Sequence, residues 1–339
     1  MSAQGEEAFV AWLRRKLPKP SLVGDDTAEL VLPGKPGRLV ATVDQQIEGT
    51  HFLPGLDPRL VGRRLLRVNL SDLAASGARP RWALLALGLP AEQDPRRIVE
   101  GVLQDARRFG IALAGGDIAH ADELTASLTL IGEKRRGDAS LGRDRARPGH
   151  AIWAGGTIGE SALGCELLVR GAGLHGRKVD LSSLEETKLP ARLLPAARRA
   201  VLRNLLPEPQ LELGRWLARL GKRAGAAIDL SDGLGKDLGR VCTASDVGAE
   251  IDLRLLRRAT PPRFDELAAA VELDSLAVAL AGGEDYVLLF TLPEPISPPA
   301  RFGAKRIGRI TRERALSLLD RAGDRHDLPQ IGWDHLLPE

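Results

Sequence analysis

Strand-like and helix-like segments alternate through both halves of this chain, and the alternation limits the folds available to it. The segment Asp57–Ser76 has the marks of a helix, because Asp57 can cap its start and Gly77 can end it. Trp82–Leu87 is a short apolar run typical of a buried strand, and Asp94–Phe109 has the pattern of a second helix. The same mixture continues in the second half. The sequence therefore predicts an α/β or α+β protein.

The other predicted elements are short, and turn residues separate them. The predicted strands are Thr27–Leu32, Arg38–Val43, Ile111–Ala114, Leu124–Gly132, Ala151–Ala154, Ala226–Leu230, Ala249–Leu253 and Tyr286–Thr291. The predicted helices are Glu160–Val169, Leu211–Arg219 and Leu234–Thr243. The Gly-rich stretch Gly171–Pro190 is predicted to be a flexible loop. The charged, turn-rich stretch Arg143–Gly149 marks a domain boundary, which divides the chain into residues 1–145 and 146–339.

Composition and charge narrow the class of protein. With 43% hydrophobic and 27% charged residues, the chain has the composition of a soluble globular protein. A net charge of +3, with basic residues scattered in short pairs, predicts no nucleic-acid partner. The most apolar run, Trp82–Leu89, is too short to cross a membrane, and the first residues lack the core of a signal peptide. Cys165 and Cys242 form no disulfide framework, so we expect a cytoplasmic protein.

Several common catalytic motifs are excluded. Both Gly-Lys pairs, at Gly221 and Gly235, lack the Ser or Thr that a P-loop needs. The single G-x-G-x-x-G, which begins at Gly171, follows a helix and opens a loop, whereas a dinucleotide site requires the reverse order. The histidines have no zinc-site spacing, and no residue stands out as a covalent nucleophile.

Asp72 is unusual because it lies late in a predicted helix whose other residues are largely apolar. No Lys or Arg occupies a position three or four residues away, where a helical salt bridge would form. A carboxylate in such a place is costly unless something pairs with it. Two explanations are open. Either Arg67, Arg79 or Arg81, none of which lies at salt-bridge spacing in the helix, contacts the Asp72 carboxylate in the folded chain, or Asp72 binds a cation.

Other acidic residues also stand at the ends of elements beside Gly or small residues. They are Asp25, Asp26, Asp44, Asp117, Asp229, Asp232, Glu284 and Asp285. Singly, each has an ordinary explanation: Asx turns for Asp25-Asp26 and Asp117, a helix N-cap for Asp232, and a strand start for Glu284. Together they predict a metal site, because clustered carboxylates repel one another without cations. An all-oxygen ligand set favours Mg²⁺, and Mg²⁺ beside Gly turns is the chemistry of phosphoryl transfer.

Six segments resemble the thiamine-monophosphate kinase family. They are GDDTA (Gly24–Ala28), DQQIEGTHF (Asp44–Phe52), NLSDLAASGARP (Asn69–Pro80), AGGD (Ala114–Asp117), IDLSDGLGKDL (Ile228–Leu238) and GGEDYVLLF (Gly282–Phe290). The resemblance runs from about residue 20 to residue 336, with the motifs in the family's order. It implies the two-domain fold of the aminoimidazole-ribonucleotide synthetase superfamily, in which the N-terminal domain dimerises through a β-barrel and the C-terminal domain is α/β. It also implies a homodimer that takes ATP and thiamine monophosphate.

The resemblance assigns roles position by position. It implies that Mg²⁺ is held by Asp26, Thr42, Asp44, Asp72, Asp117, Asp229 and Asp232. It implies that ATP contacts Gly116, Asp117, Arg143 and Ser231. It implies that thiamine monophosphate faces His51, Glu284 and Trp333, which would otherwise be read as a structural histidine, a strand start and a packing residue.

Four positions depart from the family pattern. Val43 stands where a metal-site Thr is common, Gln45 and Gln46 replace smaller or apolar residues, and Trp333 stands where the family has an aromatic residue that is often Tyr. The implied reaction is direct transfer of the γ-phosphoryl group of ATP to the phosphate of thiamine monophosphate, assisted by several Mg²⁺ ions. Two alternatives stay open: another ATP-dependent enzyme of the superfamily, and a nucleotide-binding regulator without catalysis.

Overall fold

The structure is a computed structural model, and it describes residues 6–16, 25–31, 37–91, 93–175, 178–184 and 189–333. Its helices are α1 (Glu6–Lys16), α2 (Pro58–Ser76), α3 (Pro95–Phe109), α4 (Glu160–Val169), α5 (Leu194–Leu205), α6 (Leu211–Arg219), α7 (Leu234–Ser245), α8 (Leu253–Ala259), α9 (Phe264–Ala270) and α10 (Ser275–Ala281). Its strands are β1 (Ala28–Val31), β2 (Arg38–Ile47), β3 (Arg79–Leu89), β4 (Ala112–His120), β5 (Thr125–Lys134), β6 (Ala151–Ala154), β7 (Gly173–His175), β8 (Lys178–Asp180), β9 (Ala227–Asp229), β10 (Gly248–Asp252), β11 (Leu288–Leu292), β12 (Lys305–Thr311), β13 (Leu316–Leu319) and β14 (Arg325–Asp327). The mixture of helices and sheets confirms the predicted α/β class.

The first sheet has the strand order β1-β2-β5-β3-β4, and β4 runs parallel to its neighbour β3. Helices α2 and α3 pack on one face of this sheet through a shared apolar core that includes Leu65, Ile98 and Leu128. The other face leaves Trp82 and Leu84 exposed, because side chains alternate across a strand. The sheet is thus covered by helices on one side only.

The second sheet has the order β14-β13-β10-β12-β6-β11-β9. Its strands β6, β9, β10, β11 and β12 pack with helices α4, α5 and α7 into a large core that includes Ile152, Leu163, Val201 and Leu238. Helix α2 also touches this half, since Ala74 and Ala75 pack with Leu217 and Phe290. One helix of the first half is therefore shared between the two sheets. Among the described residues, no helix is both long enough and apolar enough to cross a membrane.

The caps predicted for α2 are confirmed, and α3 is capped in a similar way. The Asp57 carboxylate accepts the Arg59 N–H at 2.9 Å, and Gly77 ends α2 with φ = 75°. The Asp94 carboxylate accepts the Arg96 N–H at 2.9 Å in the same way. The predicted domain boundary at Arg143–Gly149 lies between the strands of the first sheet and those of the second, and we keep it as a proposal.

Two predictions about local structure are wrong. The stretch Gly171–Pro190 contains the hairpin β7–β8, in which Leu174 and Val179 are buried and hold the hairpin on the core. The last Gly of the G-x-G-x-x-G motif, Gly176, lies outside the described residues, as does Gly24 of the GDDTA segment.

The AGGD segment forms no turn, because β4 continues through it to His120. A Cβ on Gly116 would lie 1.8 Å from the Leu85 carbonyl oxygen, so a glycine at this position allows β4 to pair closely with β3.

Candidate active site

A cleft of about 2630 Å³ is lined by residues from both halves of the chain. Eleven of the predicted site residues line it: Asp26, Thr42, Asp44, His51, Asp72, Arg143, Asp229, Ser231, Asp232, Glu284 and Trp333. Thr42 and Asp44 lie on β2, Asp72 on α2, Asp229 at the end of β9, Ser231 and Asp232 in the turn after it, and Glu284 in the loop before β11. Asp26 precedes β1, His51 follows β2, Arg143 follows β5, and Trp333 follows β14. The fold thus brings together most of the residues that the sequence motifs single out.

Helix α2 places Asp72 against the strand β2. The Thr42 hydroxyl donates a hydrogen bond of 2.5 Å to the Asp72 carboxylate. The arginines that could have neutralised Asp72 are engaged elsewhere, since Arg67 pairs with Asp105 and Arg81 pairs with Glu133. The salt-bridge explanation for Asp72 therefore fails for these two arginines, and the cation explanation gains support.

Asp44 is held at its backbone by a buried side chain of α2. The Asp44 N–H donates to the Asn69 Oδ1 at 3.1 Å, and the Asn69 Nδ2 donates to the Leu65 carbonyl at 2.8 Å. Asn69 is fully buried, so this contact fixes the strand to the helix at the level of the site. Burial raises the pKa of Asp44 to about 6, and the charges of Asp26 and Asp232 add to the shift.

Asp26, near the start of the first half, pairs with Arg143, which lies at its end. The Arg143 Nε and Nη2 atoms donate to the Asp26 Oδ1 at 3.1 and 2.5 Å. The second oxygen, Asp26 Oδ2, is buried and has no hydrogen-bond partner. A buried carboxylate oxygen without a donor carries a large desolvation penalty, which a bound cation would remove. This orphaned atom is the clearest sign in the structure that the site fits a metal ion.

The turn after β9 carries Asp229 and Asp232. The Asp237 carboxylate organises it by accepting the N–H groups of Ser231 and Asp232 at 3.1 and 3.0 Å. The Asp232 carboxylate pairs with Lys236 at 3.2 Å and with Arg240 at 2.8 Å. Helix α7 begins after Gly233 without a side-chain cap, so the N-cap explanation for Asp232 is excluded.

The carboxylates of the cleft raise one another's pKa. Burial, followed by the charges of Asp44, Asp229 and Asp26, raises the pKa of Asp72 well above its usual range. Burial and then the Asp26 charge raise the pKa of Asp229 well above its usual range. Such mutual repulsion disfavours the ionised cluster unless cations are present.

No three His, Cys, Asp or Glu side chains of the described residues converge closely enough to hold an ion by themselves. This agrees with Mg²⁺ chemistry, because Mg²⁺ usually keeps several waters and binds through one or two carboxylates plus the phosphates of a substrate. The acidic residues therefore fit sites that a polyphosphate would complete. They do not form a closed protein cage.

The GGED segment is a strained loop beside that turn. Glu284 and Tyr286 both have left-handed backbone conformations, with φ = 64° and φ = 49°. Hydrogen bonds hold them there: the Glu284 N–H donates to the Ser231 carbonyl at 2.7 Å and the Tyr286 N–H to the Leu230 carbonyl at 2.8 Å. The strand β11 starts only at Leu288, so the strand-start explanation for Glu284 is wrong. Strained non-Gly residues of this kind are typical of functional loops.

Asp285 stabilises the same loop from the core side. Its carboxylate accepts the N–H groups of Gly159 and Ser161 at 2.6 and 3.1 Å, at the start of α4. Burial raises the pKa of Asp285 to about 7, although these donors and Arg203 act in the opposite direction. Asp285 thus anchors the loop to α4, while its neighbour Glu284 faces the cleft.

His51 and Trp333 lie at the other borders of the cleft. The Ile47 N–H donates to the His51 Nδ1 at 3.2 Å, which fixes this nitrogen as an acceptor. The Trp333 N–H donates to the Asp232 carbonyl at 3.2 Å, and Lys236 donates to the Trp333 carbonyl. The Trp333 side chain is 40% exposed, so it is available at the surface of the cleft.

Comparison with known proteins decides the family. Residues 24–133 match the family model described as AIR synthase related protein, N-terminal domain. Thiamine-monophosphate kinase of Escherichia coli (strain K12) is 38% identical over 275 residues, which are 80% of this chain and 76% of that protein. Thiamine-monophosphate kinase of Aquifex aeolicus (strain VF5) is 31% identical over 337 residues, which are 98% of each chain.

The chain belongs to the thiamine-monophosphate kinase family.

A solved structure described as AaThiL complexed with AMPPCP and TMP has the same fold, with a TM-score of 0.81 at 28% identity. The match covers 99% of this chain and 98% of that one. The resemblance inferred from the sequence motifs, the fold class and the assignment to this kinase family are therefore confirmed.

Two predicted site residues of this kinase do not join the cleft. Gly116 and Asp117 lie on β4, at the edge of the first sheet, and both are exposed. Asp117 stands opposite Ala86 of β3. Within one chain, the fold separates AGGD from the other motifs.

Several residues of the kinase site were missed by sequence reasoning. Asn69 and Asp237 lie inside quoted motifs, but nothing local showed that they hold the backbones of Asp44 and Ser231. Gln46, noted as a departure from the family pattern, turns out to be buried, and its Oε1 accepts the Arg64 Nε at 3.1 Å. Val43 is 62% exposed on the uncovered face of the sheet.

Proposed function

We propose that this enzyme transfers the γ-phosphoryl group of ATP to the phosphate of thiamine monophosphate, which yields ADP and thiamine diphosphate. The observation that carries the proposal is the single cleft in which Asp26, Asp44, Asp72 and Asp229 face one another beside Arg143. The similarity to AaThiL complexed with AMPPCP and TMP, which extends over 99% of this chain, supports the choice of both substrates.

The acidic side chains of the cleft would hold Mg²⁺. The residues we assign to it are Asp26, Thr42, Asp44, Asp72, Asp229 and Asp232, with Asp117 considered below. When bound, Mg²⁺ neutralises phosphate charge and aligns the reacting phosphoryl groups. The orphaned Asp26 Oδ2 and the raised pKa values of Asp72 and Asp229 support this assignment.

The basic side chains of the cleft would bind the polyphosphate. Arg143, Lys236 and Arg240 all line it, and they pair with Asp26 and Asp232. Binding of ATP would exchange these internal ion pairs for contacts to phosphate oxygens, which arginine makes well because of its planar fork of donors. Ser231 sits in the same turn and is assigned to ATP.

The reaction needs no covalent nucleophile from the protein. The acceptor phosphate is already ionised at neutral pH, so a strong general base is also unnecessary. Burial raises the pKa of the Cys165 thiol and raises that of Cys242 to about 12, so neither is activated. Catalysis in this account comes from positioning and charge neutralisation.

The organic part of thiamine monophosphate would face His51, Glu284 and Trp333. All three line the cleft, and they provide an imidazole, a carboxylate and an exposed indole. An aromatic surface and a few fixed polar groups are the usual means of recognising a heterocyclic ligand. We assign the enzyme to the cytoplasm, where ATP is available and where both of its free thiols would stay reduced.

A homodimer would account for the position of Asp117. The uncovered face of the first sheet exposes Val43, Trp82 and Leu84, and Ile118 on the edge strand β4 is 61% exposed. Apolar surface of this extent on neighbouring strands favours a protein partner. A second copy seated on this face would close the sheets into a barrel, cover the open edge and bring Gly116 and Asp117 to an intersubunit site.

A turnover assay on a panel of phosphorylated acceptors tests the proposed function. We expect ADP release with thiamine monophosphate to exceed release with aminoimidazole ribonucleotide precursors, selenide or water by at least about 100-fold. Preference for another acceptor would favour a different enzyme of the superfamily. Nucleotide binding without ADP release, whichever acceptor is supplied, would favour a nucleotide-binding regulator without catalysis.

A further inference from the structure

Arg64 is the largest side chain that is almost completely buried, and it lies on α2 at the border between the two halves. Its guanidinium group donates hydrogen bonds to three different residues. The Nε donates to Gln46 Oε1 at 3.1 Å, and the two Nη atoms donate to the Asn204 carbonyl and to the Glu284 carboxylate. A buried arginine with this many partners holds them in one geometry.

Glu284 is the partner that faces the cleft. Arg64 contacts its Oε1, and the Asn204 Nδ2 donates to its Oε2 at 2.8 Å. Its backbone is also fixed by the bond to the Ser231 carbonyl. Both oxygens and the main chain are therefore anchored, and yet 29% of the side chain remains exposed to the cleft. The ion pair keeps a carboxylate oriented at a surface that we assign to the thiamine moiety.

We propose that Arg64 is a positioning residue for acceptor recognition, which acts by fixing the orientation of Glu284. The inference rests on the proposed function, because it takes thiamine monophosphate as the acceptor. Arg64 is separated from Glu284 by 220 positions in the chain, so the contact joins the first half to the second across the cleft. Its effect should fall on the acceptor and leave ATP binding unchanged, since ATP is assigned to Arg143, Lys236 and Arg240.

Arg67 provides a matched control. It lies one turn along the same helix, is also buried, and also joins the two halves, because it donates to the carbonyls of Leu206 and Pro207 at 3.2 Å. Its carboxylate partners are Asp105 and Glu208, and Glu284 is not among its contacts. A general loosening of the interface should therefore affect R67M and R64M alike, whereas positioning of Glu284 should affect R64M alone.

The experiment measures initial rates for the wild type, R64M, R64K, R67M, E284Q and R64M/E284Q, with each substrate varied in turn. For R64M we expect the KM for thiamine monophosphate to rise roughly 10- to 100-fold, with the KM for ATP changed by less than about twofold. R64K should recover only part of the loss, because lysine supplies a cationic donor for Glu284 but lacks the planar fork that also reaches Gln46 and Asn204. R67M should leave the ratio of the two KM values unchanged.

The double variant keeps the test decisive if R64M folds poorly, because R64M/E284Q leaves no unpaired buried charge. If Arg64 acts through Glu284, E284Q and R64M/E284Q will have the same acceptor KM within about twofold. A further rise in the double variant, or equal effects of R64M on both substrates, would overturn the role of Arg64 while leaving the proposed function intact. A wild type that does not turn over thiamine monophosphate would overturn the proposed function itself, and this inference with it.

Discussion

The Thr42 hydroxyl donates a 2.5 Å hydrogen bond to the Asp72 carboxylate, and this contact joins the strand β2 to the helix α2 at the floor of the cleft. The family resemblance assigned both residues to Mg²⁺, although 30 positions separate them. Burial and the charges of Asp44, Asp229 and Asp26 raise the pKa of Asp72, and they outweigh the hydrogen bond from Thr42, which lowers it. A bound cation would therefore favour the ionised form of Asp72.

Asp72→Asn should leave the protein folded and reduce kcat by roughly 100- to 1000-fold. The substitution keeps the size of the side chain and an acceptor for Thr42, but it removes one charged ligand. The measurement is turnover across a Mg²⁺ titration, with circular dichroism as a check of folding. Asp122→Asn, at an exposed loop position, is the matched control and should have normal activity. Near-normal turnover of D72N at saturating Mg²⁺ would remove Asp72 from the metal site.

The protein should be a homodimer in solution. Light scattering at micromolar concentration should give a mass close to twice the 36.4 kDa of one chain. Ile118→Glu, on the exposed edge strand, should shift the mass towards the monomer, because it places a charge at the apolar open edge of the sheet. Leu202→Glu, at an exposed position of α5, is the control and should stay dimeric. A wild-type mass near 36.4 kDa would contradict the intersubunit role given to Asp117.

Asp285 should make stability depend on pH. Burial raises its pKa to about 7 in the folded state, whereas an unfolded chain has an ordinary aspartate with a pKa near 3.8. The folded state therefore binds this proton more tightly, and the stability it contributes is fully present below about pH 4 and is lost as pH rises through about 7. Relative to Asp285→Asn, the wild type should lose roughly 2 kcal/mol between pH 5 and pH 8.

The check is denaturant unfolding of both proteins at several pH values. The comparison isolates Asp285, because every other titrating group is common to the two proteins. If the free energies of unfolding of the wild type and D285N change in parallel with pH, the Asp285 carboxylate is already ionised at pH 5. The hydrogen bonds that it accepts from the N–H groups of Gly159 and Ser161 would then be its whole contribution to stability.

Local signals in the sequence predicted the well-capped helix α2, but they ended the edge strand too early, at Ala114. Helix α2 begins and ends where Asp57 and Gly77 predict, because capping is a local property of a few neighbouring residues. The AGGD segment was read as a turn, because consecutive glycines favour turns. What decides its conformation is the parallel pairing of β4 with β3, which requires no side chain at Gly116 and lies outside any local window.

The same distinction between local sequence signals and long-range contacts applies to the candidate active site. The motifs singled out most of the acidic residues that line the cleft, because each motif carries its own recognisable pattern, but they also included Asp117, which lies on β4 away from it. They could not predict the partners that hold those residues in place. Asn69 binds the backbone of Asp44 across 25 positions, and Arg64 binds Glu284 across 220. A buried arginine in an apolar helix gives no local indication of which carboxylate it will meet once the two halves pack together.

The γ-phosphoryl group should pass directly between the two substrates without a phosphoenzyme. Enzyme, Mg²⁺, ATP and labelled ADP are incubated without thiamine monophosphate. Direct transfer predicts no label in ATP and a sequential initial-rate pattern, because we assign the carboxylates to cations and neither thiol is activated. Robust ADP–ATP exchange, or a labelled protein band after incubation with γ-labelled ATP, would assign one of these aspartates to covalent catalysis.

The central claim, that the cleft catalyses phosphorylation of thiamine monophosphate by ATP, is tested most directly by following both products in one reaction. The purified protein is incubated with ATP, Mg²⁺ and thiamine monophosphate, and ADP and thiamine diphosphate are separated by chromatography and quantified over time. We expect equal amounts of the two products, formed only when both substrates are present. ADP release at the same rate without thiamine monophosphate, or the absence of thiamine diphosphate, would contradict the account.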